Sequence, residues 1–403
     1  MTPRVLMIAP VLAEYAREQA RGLEESGQLS RLVTSWVNTA ERAWWSGLPV
    51  IERLSRRPAS PVEKCRLQRV PLADVAERAT GWLGGSAIDA VDRRFALVDR
   101  TARHAVRAPI EMVFAQEDGC LQSFQRARSA GFRCAYHLPI AHHATVRSHL
   151  RRELTAFPDI CTVSRDPRNF SPERTVRKDA ELSLADQILC PSDFVRDSLV
   201  SAGVDPNKIR VLPFAADPEW LASEPLPREN AFLCVGQLSL RKGVHRVLQA
   251  WKRLGAYRTH RLRLIGAMRL TSKFLRDFSG LYEHTDWLPR PELRVQYLRA
   301  QALVLSSFAE GFAMVIPEAM SCGTPVLASH NSGAKGFVAD GEEARLFDFD
   351  DVDGLTTALD WALTNPRELA AMGTRGRQRV ERWTWPRYRD EFSEWIQTRA
   401  SSR

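Results

Sequence analysis

The chain has 403 residues, which favours two domains over one, since single cores seldom grow beyond about 250–300 residues. Its 57 basic and 48 acidic residues leave a formal net charge of +9, which favours an anionic partner without choosing among sugar nucleotides, lipid and nucleic acid. Seven scattered cysteines form no C-x-x-C pair and predict reduced core thiols rather than a metal or disulfide framework. The sequence contains no run of 18 apolar residues, so no membrane-spanning helix is predicted. The first apolar run indicates a buried strand rather than a signal peptide.

The first half of the chain alternates apolar strands with helices, as parallel α/β sheets do. Strands are predicted at residues 5–9, 111–115, 132–136, 187–190 and 208–214. Helices are predicted at residues 14–25, 74–107 with a break at the paired glycines, 120–130, 144–157, 173–185 and 193–202. Residues 41–69 are predicted to be irregular, and we interpret their mixture of arginines with Trp44 and Trp45 as a solvated insertion, because no nucleic-acid motif accompanies it.

His137 follows the strand 132–136, at the carboxyl edge of the predicted sheet, where open α/β sheets bind ligands. His142 and His143 follow closely and suggest a metal site, but no acidic ligand is adjacent in sequence, so metal is the weaker interpretation. The helix 144–157 has an apolar stripe beside arginines, which is typical of either a membrane-interface helix or a surface helix packed on the core. The sequence leaves that alternative open.

The second half opens with a proline-rich linker and then repeats the α/β alternation. Strands are predicted at residues 231–236, 261–266, 302–305 and 325–328, and helices at 244–254, 315–322, 355–363, 368–382 and 385–398. Lys242 lies in the loop before the helix 244–254, where a cation suits a diphosphate.

The stretch from Ser306 to Ala328, SSFAEGFAMVIPEAMSCGTPVLA, has the pattern strand, loop, helix, strand. Its loop therefore lies at the carboxyl edge of a parallel sheet, and the first amides of the following helix favour an anion. We expect a phosphate at residues 311–315. Glu310 and Glu318 frame this loop, and carboxylates accept hydrogen bonds from sugar hydroxyls. The alternative interpretation is that Glu310 caps the helix and that Glu318 is a solvated side chain.

The Glu-x7-Glu spacing within EGFAMVIPEAMSCGTPV resembles the signature of family 4 of the glycosyltransferases, which are retaining enzymes of the GT-B fold. The resemblance implies an α/β chain with two doubly wound, Rossmann-like domains that face each other across a cleft. It implies an acceptor-side domain at residues 1–217 completed by a C-terminal helix at 385–403. A linker at 218–230 and a donor-binding domain at 231–384 would follow.

The resemblance also implies roles for individual residues. Glu310 would contact the donor sugar together with His137, and these two are the implied catalytic residues, while Glu318 would bind the ribose. The other implied donor-binding residues are Gln237, Arg241, Lys242, Gly311, Phe312, Ala313, Met314, Val315, Trp287 and Leu288. The family usually has Arg where Gln237 stands and Gly where Ala313 stands.

The implied activity is transfer of a sugar from a nucleotide-diphosphate sugar to a glycan, lipid-linked or small-molecule acceptor, with retention of anomeric configuration. No cofactor or metal is expected, because no Asp-x-Asp pair adjoins the phosphate site. We expect a cytoplasmic protein without a nucleic-acid partner and leave open peripheral contact with the inner face of a membrane. A nucleotide-sugar epimerase of similar fold and a non-catalytic nucleotide-sugar-binding protein remain the alternatives.

Overall fold

The computed structural model describes residues 2–35, 62–82, 86–160, 170–222 and 224–401, and within them the chain forms two parallel sheets. The strands of the first sheet are β1 (Val5–Ile8), β2 (Leu29–Thr34), β3 (Leu67–Arg69), β4 (Met112–Gln116), β5 (Arg133–His137), β6 (Gln187–Cys190) and β7 (Ile209–Val211). Those of the second are β8 (Ala231–Val235), β9 (Arg261–Ile265), β10 (Glu283–Thr285), β11 (Ala302–Leu305), β12 (Val326–Ser329) and β13 (Arg345–Phe347). The strand orders are β3-β2-β1-β4-β5-β6-β7 and β10-β9-β8-β11-β12-β13, which confirms the predicted fold class of two doubly wound α/β units.

Helices connect the strands of each sheet. In the first domain, the part built on the first sheet, they are α1 (Glu14–Glu25), α2 (Pro71–Trp82), α3 (Ala87–Ala102), α4 (Leu121–Ser129), α5 (His143–Ala156), α6 (Pro172–Leu184) and α7 (Asp193–Ser201). A short α8 (Pro218–Leu221) lies between the sheets. In the second domain, built on the second sheet, they are α9 (Val244–Leu254), α10 (Ser272–Leu275), α11 (Arg290–Arg299), α12 (Val315–Ser321), α13 (Val352–Thr364) and α14 (Pro366–Glu381), and α15 (Trp385–Ser401) follows.

Both faces of the first sheet are buried, as the continuous apolar runs of its strands require. Val5 and Met7 of β1 lie in one apolar cluster, and Leu6 and Ile8 lie in another on the opposite face. The last helix, α15, packs against α1 of the first domain and helps to cover that sheet. Parallel strands with helices on both faces leave the carboxyl edge of the sheet free for a site.

The structure differs from the predictions mainly at the edges of the sheets. The stretch 41–69, predicted to be irregular, ends in β3, while residues 36–61 with Trp44 and Trp45 lie outside the described part of the chain. The sequence also failed to indicate β2, β10 and β13. Every residue of β10 is exposed, so this edge strand has no apolar run to reveal it.

One further prediction needs correction, and the linker contains a helix that the sequence did not indicate. The linker is not wholly irregular, since α8 forms within it and buries Trp220. Cys65 is exposed, so the prediction of core thiols is wrong for this residue, whereas the other described cysteines are buried, and Cys161 lies outside the described residues.

Helix α5 joins the two domains. Its apolar residues Val146, Leu150 and Leu154 pack against an apolar cluster of the second domain that includes Val247 and Phe308. The apolar stripe therefore packs against the second domain, as the surface-helix alternative predicts, and peripheral membrane contact stays a prediction. None of the described helices is long and apolar enough to cross a bilayer.

An ion-paired group secures this contact. Glu153 of α5 is fully buried, and its carboxylate lies 2.7 Å from His245 Nε2 and 2.5 Å from Arg246 Nη2 of α9. Burial alone would raise the pKa of Glu153, but the hydrogen bonds from His245 and Arg246 outweigh it and lower the pKa. The two domains therefore share a buried, ionised contact.

Candidate functional site

The loop after β11 carries Glu310, whose carboxylate meets two cations from the loop after β8. Glu310 Oε1 lies 2.7 Å from Arg241 Nη1 and 2.8 Å from Lys242 Nζ. Ser307 Oγ donates a hydrogen bond to the same oxygen at 3.2 Å. Only 8% of Glu310 is exposed, so salt screens these pairs far less than surface pairs.

Burial and the two cations compete to set the charge of Glu310. Burial alone would raise the pKa of Glu310, but Lys242 and Arg241 outweigh it and lower the pKa to about 2. Glu310 is therefore ionised at neutral pH. Because two cations share one carboxylate, the cluster has one positive charge in excess, which suits an anionic ligand.

Unpaired backbone amides adjoin this cluster at the start of α12. Among the described residues, the amides without an acceptor in this segment are those of Gly311, Phe312, Met314 and Val315. Ala313 differs, because its N–H donates to Ser332 O at 3.1 Å and its methyl group lies in the apolar core. Four of the five amides expected to bind a phosphate therefore have no acceptor in the described part of the chain, whereas the Ala313 amide has one.

Gly311 brings the start of α12 against the first domain. Its carbonyl oxygen accepts a hydrogen bond from Ser192 Oγ at 2.6 Å. A Cβ atom at this position would lie 1.7 Å from Pro139 O, so a side chain here would drive the domains apart. Pro139 follows β5 and Ser192 follows β6, and the free amides consequently lie where the carboxyl edges of the two sheets meet.

Glu318, the second carboxylate of the motif, points from α12 toward a tyrosine. Tyr297 Oη donates to Glu318 Oε2 at 3.1 Å. Burial raises the pKa of Glu318 to about 7, against the opposing effects of Tyr297 and Arg290, and repulsion from Glu14 adds to the increase. Glu14 begins α1 of the first domain, and no local pattern in the chain associates it with Glu318.

Arg228 of the predicted linker forms hydrogen bonds with the carboxyl ends of α11 and α12. Its guanidinium donates hydrogen bonds of 2.7–3.1 Å to Tyr297 O, Ala300 O, Cys322 O, Gly323 O and Thr324 Oγ1. Carbonyl groups at helix ends lack partners within the helix, so these bonds satisfy them. Arg228 thereby fixes the two helices that carry Glu318 and its tyrosine partner.

His137 ends β5 and is completely buried. Its Nδ1 lies 2.5 Å from Gln116 Oε1, Gln116 Nε2 donates to Gln19 Oε1 at 2.8 Å, and Gln19 Nε2 donates to Tyr388 Oη at 2.9 Å. Burial lowers the pKa of His137 to about 3. His137 is therefore a neutral imidazole at pH 7, and its Nε2 has no partner among the described residues.

The positions of the remaining predicted donor-binding residues do not by themselves show contact with the donor. Trp287 is 73% exposed in the loop after β10, and Leu288 packs against the core beside it. Gln237 is exposed and lines a cavity between the domains together with Arg241. Trp287, Leu288 and Gln237 remain predictions for donor binding.

His142 and His143 lie next to an acidic residue that the sequence did not indicate. Asp179 of α6 lies 2.7 Å from His143 Nε2 and 3.4 Å from His142 Nε2, whereas His137 is elsewhere in the site. The Nδ1 atom of His142 accepts a hydrogen bond from Ala144 N, which places the proton of a neutral imidazole on Nε2. In that tautomer His142 Nε2 is a donor to Asp179, so the three side chains form a hydrogen-bonded cluster here, and the expectation that no metal binds stays a prediction.

Comparisons with known proteins show which family and which folds the chain is similar to. Residues 217–379 match the profile of the family described as Glycosyl transferases group 1. The chain is 32% identical over 197 residues to an MMP alpha-(1->4)-mannosyltransferase of Mycolicibacterium hassiacum, covering 47% of this chain and 48% of that protein. It is 28% identical over 226 residues to a GDP-mannose-dependent alpha-(1-6)-phosphatidylinositol monomannoside mannosyltransferase of Mycolicibacterium smegmatis, covering 50% and 59%. The chain thus spans about half the length of these curated relatives.

Solved structures extend the likeness to both domains. The fold matches sucrose-phosphate synthase from Thermosynechococcus elongatus with a TM-score of 0.66 at 17% identity, over 99% of this chain and 100% of that one. It matches Anabaena Alr3699/HepE in complex with UDP-glucose with a TM-score of 0.63 at 15% identity, over 98% and 99%. The fold is a two-domain GT-B fold. The match to the family described as Glycosyl transferases group 1 lies within residues 217–379, which is less than half of the chain.

Proposed function

We propose that the chain transfers a hexose from a nucleotide-diphosphate sugar to an acceptor, with retention of anomeric configuration. The observation that carries the proposal is the buried Glu310 cluster with its excess positive charge beside four unpaired amides. A diphosphate supplies the missing negative charge, and it fits both the cations and the amides. The family of the second domain and the names of the relatives support the same reaction.

The two cations would act mainly on the leaving group. As the bond between the sugar and the diphosphate breaks, negative charge grows on the departing oxygen, and Lys242 with Arg241 would stabilise it. Such charges, already in place before the reaction, are usually the largest catalytic contribution. Binding of the diphosphate would draw the cations from Glu310, which frees its carboxylate to accept hydrogen bonds from the donor sugar.

The other residues would orient the donor. At the end of β5, His137 would present its neutral, unpartnered Nε2 to the donor sugar, and the carboxyl group of Glu318 would bind the ribose. We also propose that the reaction needs no metal, because cations of the chain would neutralise the diphosphate. Activity that survives EDTA supports this, and activity restored only by Mg²⁺ refutes it.

The test is a donor panel of UDP-, GDP- and TDP-hexoses with the wild type, Glu310→Gln and Glu394→Gln. Glu394 is exposed on α15 and serves as the control substitution. One nucleotide should raise the unfolding temperature of all three proteins, since a ligand at about 100 times its Kd stabilises by about 2.7 kcal/mol. Transfer or slow donor hydrolysis should be lost in Glu310→Gln alone, by about 100-fold or more.

Other outcomes identify the alternatives. An epimerised sugar nucleotide without transfer indicates an epimerase. Binding of a nucleotide without turnover of any donor indicates a non-catalytic binding protein. Near-normal turnover by folded Glu310→Gln contradicts the role of Glu310.

A further inference from the structure

A row of four buried side chains leads from the last helix of the chain to His137. Tyr388 of α15, Gln19 of α1, Gln116 of β4 and His137 of β5 come from four separate elements, and none of them is more than 6% exposed. Three hydrogen bonds of 2.5–2.9 Å join them in that order. We call this row the glutamine relay. Because it is buried, each polar atom depends on its neighbour rather than on water for a hydrogen bond.

The hydrogen bonds of the glutamine relay have one direction. Gln19 donates an amide N–H to Tyr388 Oη, and Gln116 donates an amide N–H to Gln19 Oε1. The side-chain oxygen of Gln116 therefore faces His137 Nδ1. An amide oxygen only accepts hydrogen bonds, so Nδ1 bears the proton of the neutral imidazole and donates it. It follows that His137 Nε2 bears a lone pair and is a hydrogen-bond acceptor.

Aromatic side chains hold the imidazole ring in place. The ring centroid of His137 lies 5.1 Å from that of Tyr15, 6.0 Å from that of Phe214 and 6.3 Å from that of Phe114. His137 stays uncharged at neutral pH, because burial lowers its pKa to about 3. With Nδ1 bonded to Gln116 and the ring packed, the direction of the Nε2 lone pair is fixed as well.

The same aromatic cluster reaches the loop that is proposed to bind the donor. Phe214 also packs edge-on against Phe312 of that loop, with the ring centroids 6.3 Å apart. Pro139, two residues after His137, lies so close to Gly311 that a Cβ atom there would be 1.7 Å from Pro139 O. His137 Nε2 has no partner among the described residues. Because buried polar atoms normally have a partner, a hydroxyl group of the donor suits this lone pair.

We propose that Gln19 and Gln116 are positioning residues that make His137 Nε2 a hydrogen-bond acceptor, so that the site selects donor sugars with a free hydroxyl group there. The inference rests on the proposed transfer reaction and deepens it. A hydroxyl group donates to the lone pair, whereas a hydrogen or fluorine atom in its place cannot, and a carboxylate is repelled. The two glutamines act through His137 and determine which nucleotide sugars bind.

The first experiment reads the tautomer of His137 by nitrogen NMR spectroscopy of the full chain with isotope-labelled histidine. The signals of His137 are assigned by their loss in His137→Gln, and couplings to the ring hydrogens distinguish the two nitrogens. In a neutral imidazole, the nitrogen with a proton and the nitrogen with a lone pair have well separated chemical shifts. At neutral pH the wild type should show the proton on Nδ1. A proton on Nε2 overturns the inference.

Three variants test whether the glutamine relay sets this tautomer. Gln19→Met cannot accept from Gln116, which frees the Gln116 amide to turn over, whereas Gln19→Glu keeps an oxygen that accepts. Gln28→Met is the matched control, because Gln28 is also buried and also bonds to α15, through Ser393 O at 3.0 Å, but lies outside the relay. A proton on His137 Nε2 should appear in Gln19→Met only. An unchanged tautomer in Gln19→Met overturns the inference.

The second experiment measures, by titration calorimetry, binding of the preferred nucleotide sugar and of analogues in which one hydroxyl group at a time is replaced by hydrogen or fluorine. At one position, both replacements should weaken binding at least about 10-fold in the wild type, Gln19→Glu and Gln28→Met, since a buried acceptor is left unpaired. Gln19→Met should tolerate fluorine at that position within about 3-fold, because a protonated Nε2 no longer requires a donated proton.

The outcomes separate this inference from the proposed function. Fluorine tolerated by the wild type at every position, or an equal loss in Gln19→Met and Gln28→Met, overturns the inference and leaves the transferase intact. Where Gln19→Met does not fold, the tautomer and the analogue series of the wild type still decide against the inference or for it. Absence of any nucleotide binding by the wild type overturns the proposed function, whereas the tautomer is measured without a ligand.

Discussion

Replacing Glu310 by Gln should reduce stability as well as activity, by an amount that the structure allows one to estimate. The pKa of Glu310 falls from its ordinary value of 4.5 to about 2 in the folded chain. At 1.36 kcal/mol per pKa unit, the ionised carboxylate contributes about 3 kcal/mol at pH 7. The neutral amide of the variant would leave Lys242 and Arg241 without a charge partner and close together. The unfolding temperature should therefore fall by roughly 6–12 °C.

The pH dependence supplies a check on the mechanism. A carboxylate whose folded pKa is depressed contributes stability that is fully present above pH 4.5 and is lost as the pH falls toward 2. Unfolding is followed by circular dichroism between pH 3.5 and 7 for the wild type, Glu310→Gln and the exposed control Glu394→Gln. The difference between the wild type and Glu310→Gln should shrink toward low pH. A wild-type unfolding temperature for Glu310→Gln at pH 7 would show that the cations do not stabilise this carboxylate.

Three further substitutions probe the surroundings of the site. Arg228→Lys should lower the free energy of unfolding, measured by urea denaturation, by about 2–3 kcal/mol, since one Lys cannot hydrogen-bond to the carbonyl groups of both helix ends. An unchanged urea midpoint would contradict this role. Glu153→Gln should lower the free energy of unfolding by about 3 kcal/mol in the same assay, because Arg246 stays buried without its charge partner. The radius of gyration from small-angle X-ray scattering should also increase. Unchanged values of both would show that the domains are held together by packing alone. The pKa of Glu318 is raised to about 7 in the folded chain, so its contribution should lower the free energy of unfolding as the pH rises from 4.5 through 7. Thermal unfolding at a series of pH values should show this decrease in the wild type but not in Glu318→Gln.

The sequence determined the architecture and the principal loops. Apolar strands buried on both faces and amphipathic helices have patterns that local chemistry imposes, so β1, β6, β11 and α9 could be predicted within about a residue. The Glu-x7-Glu motif indicated the loop of Glu310 and the helix of Glu318 for the same reason, since both lie within one contiguous stretch. Edge strands such as β10 were missed because a polar, exposed strand has no such pattern.

Only the tertiary structure decided which charges meet. Arg241 and Lys242 lie about 70 residues before Glu310 in sequence, and nothing local shows that both cations contact one of its oxygens. The packing of the apolar side of α5 against the second domain and the approach of Asp179 to His143 likewise depend on how separate elements pack. Local spacing limits what lies along one strand or helix, whereas contacts between elements depend on the packing of the whole chain, and the charges of this site are set by those contacts.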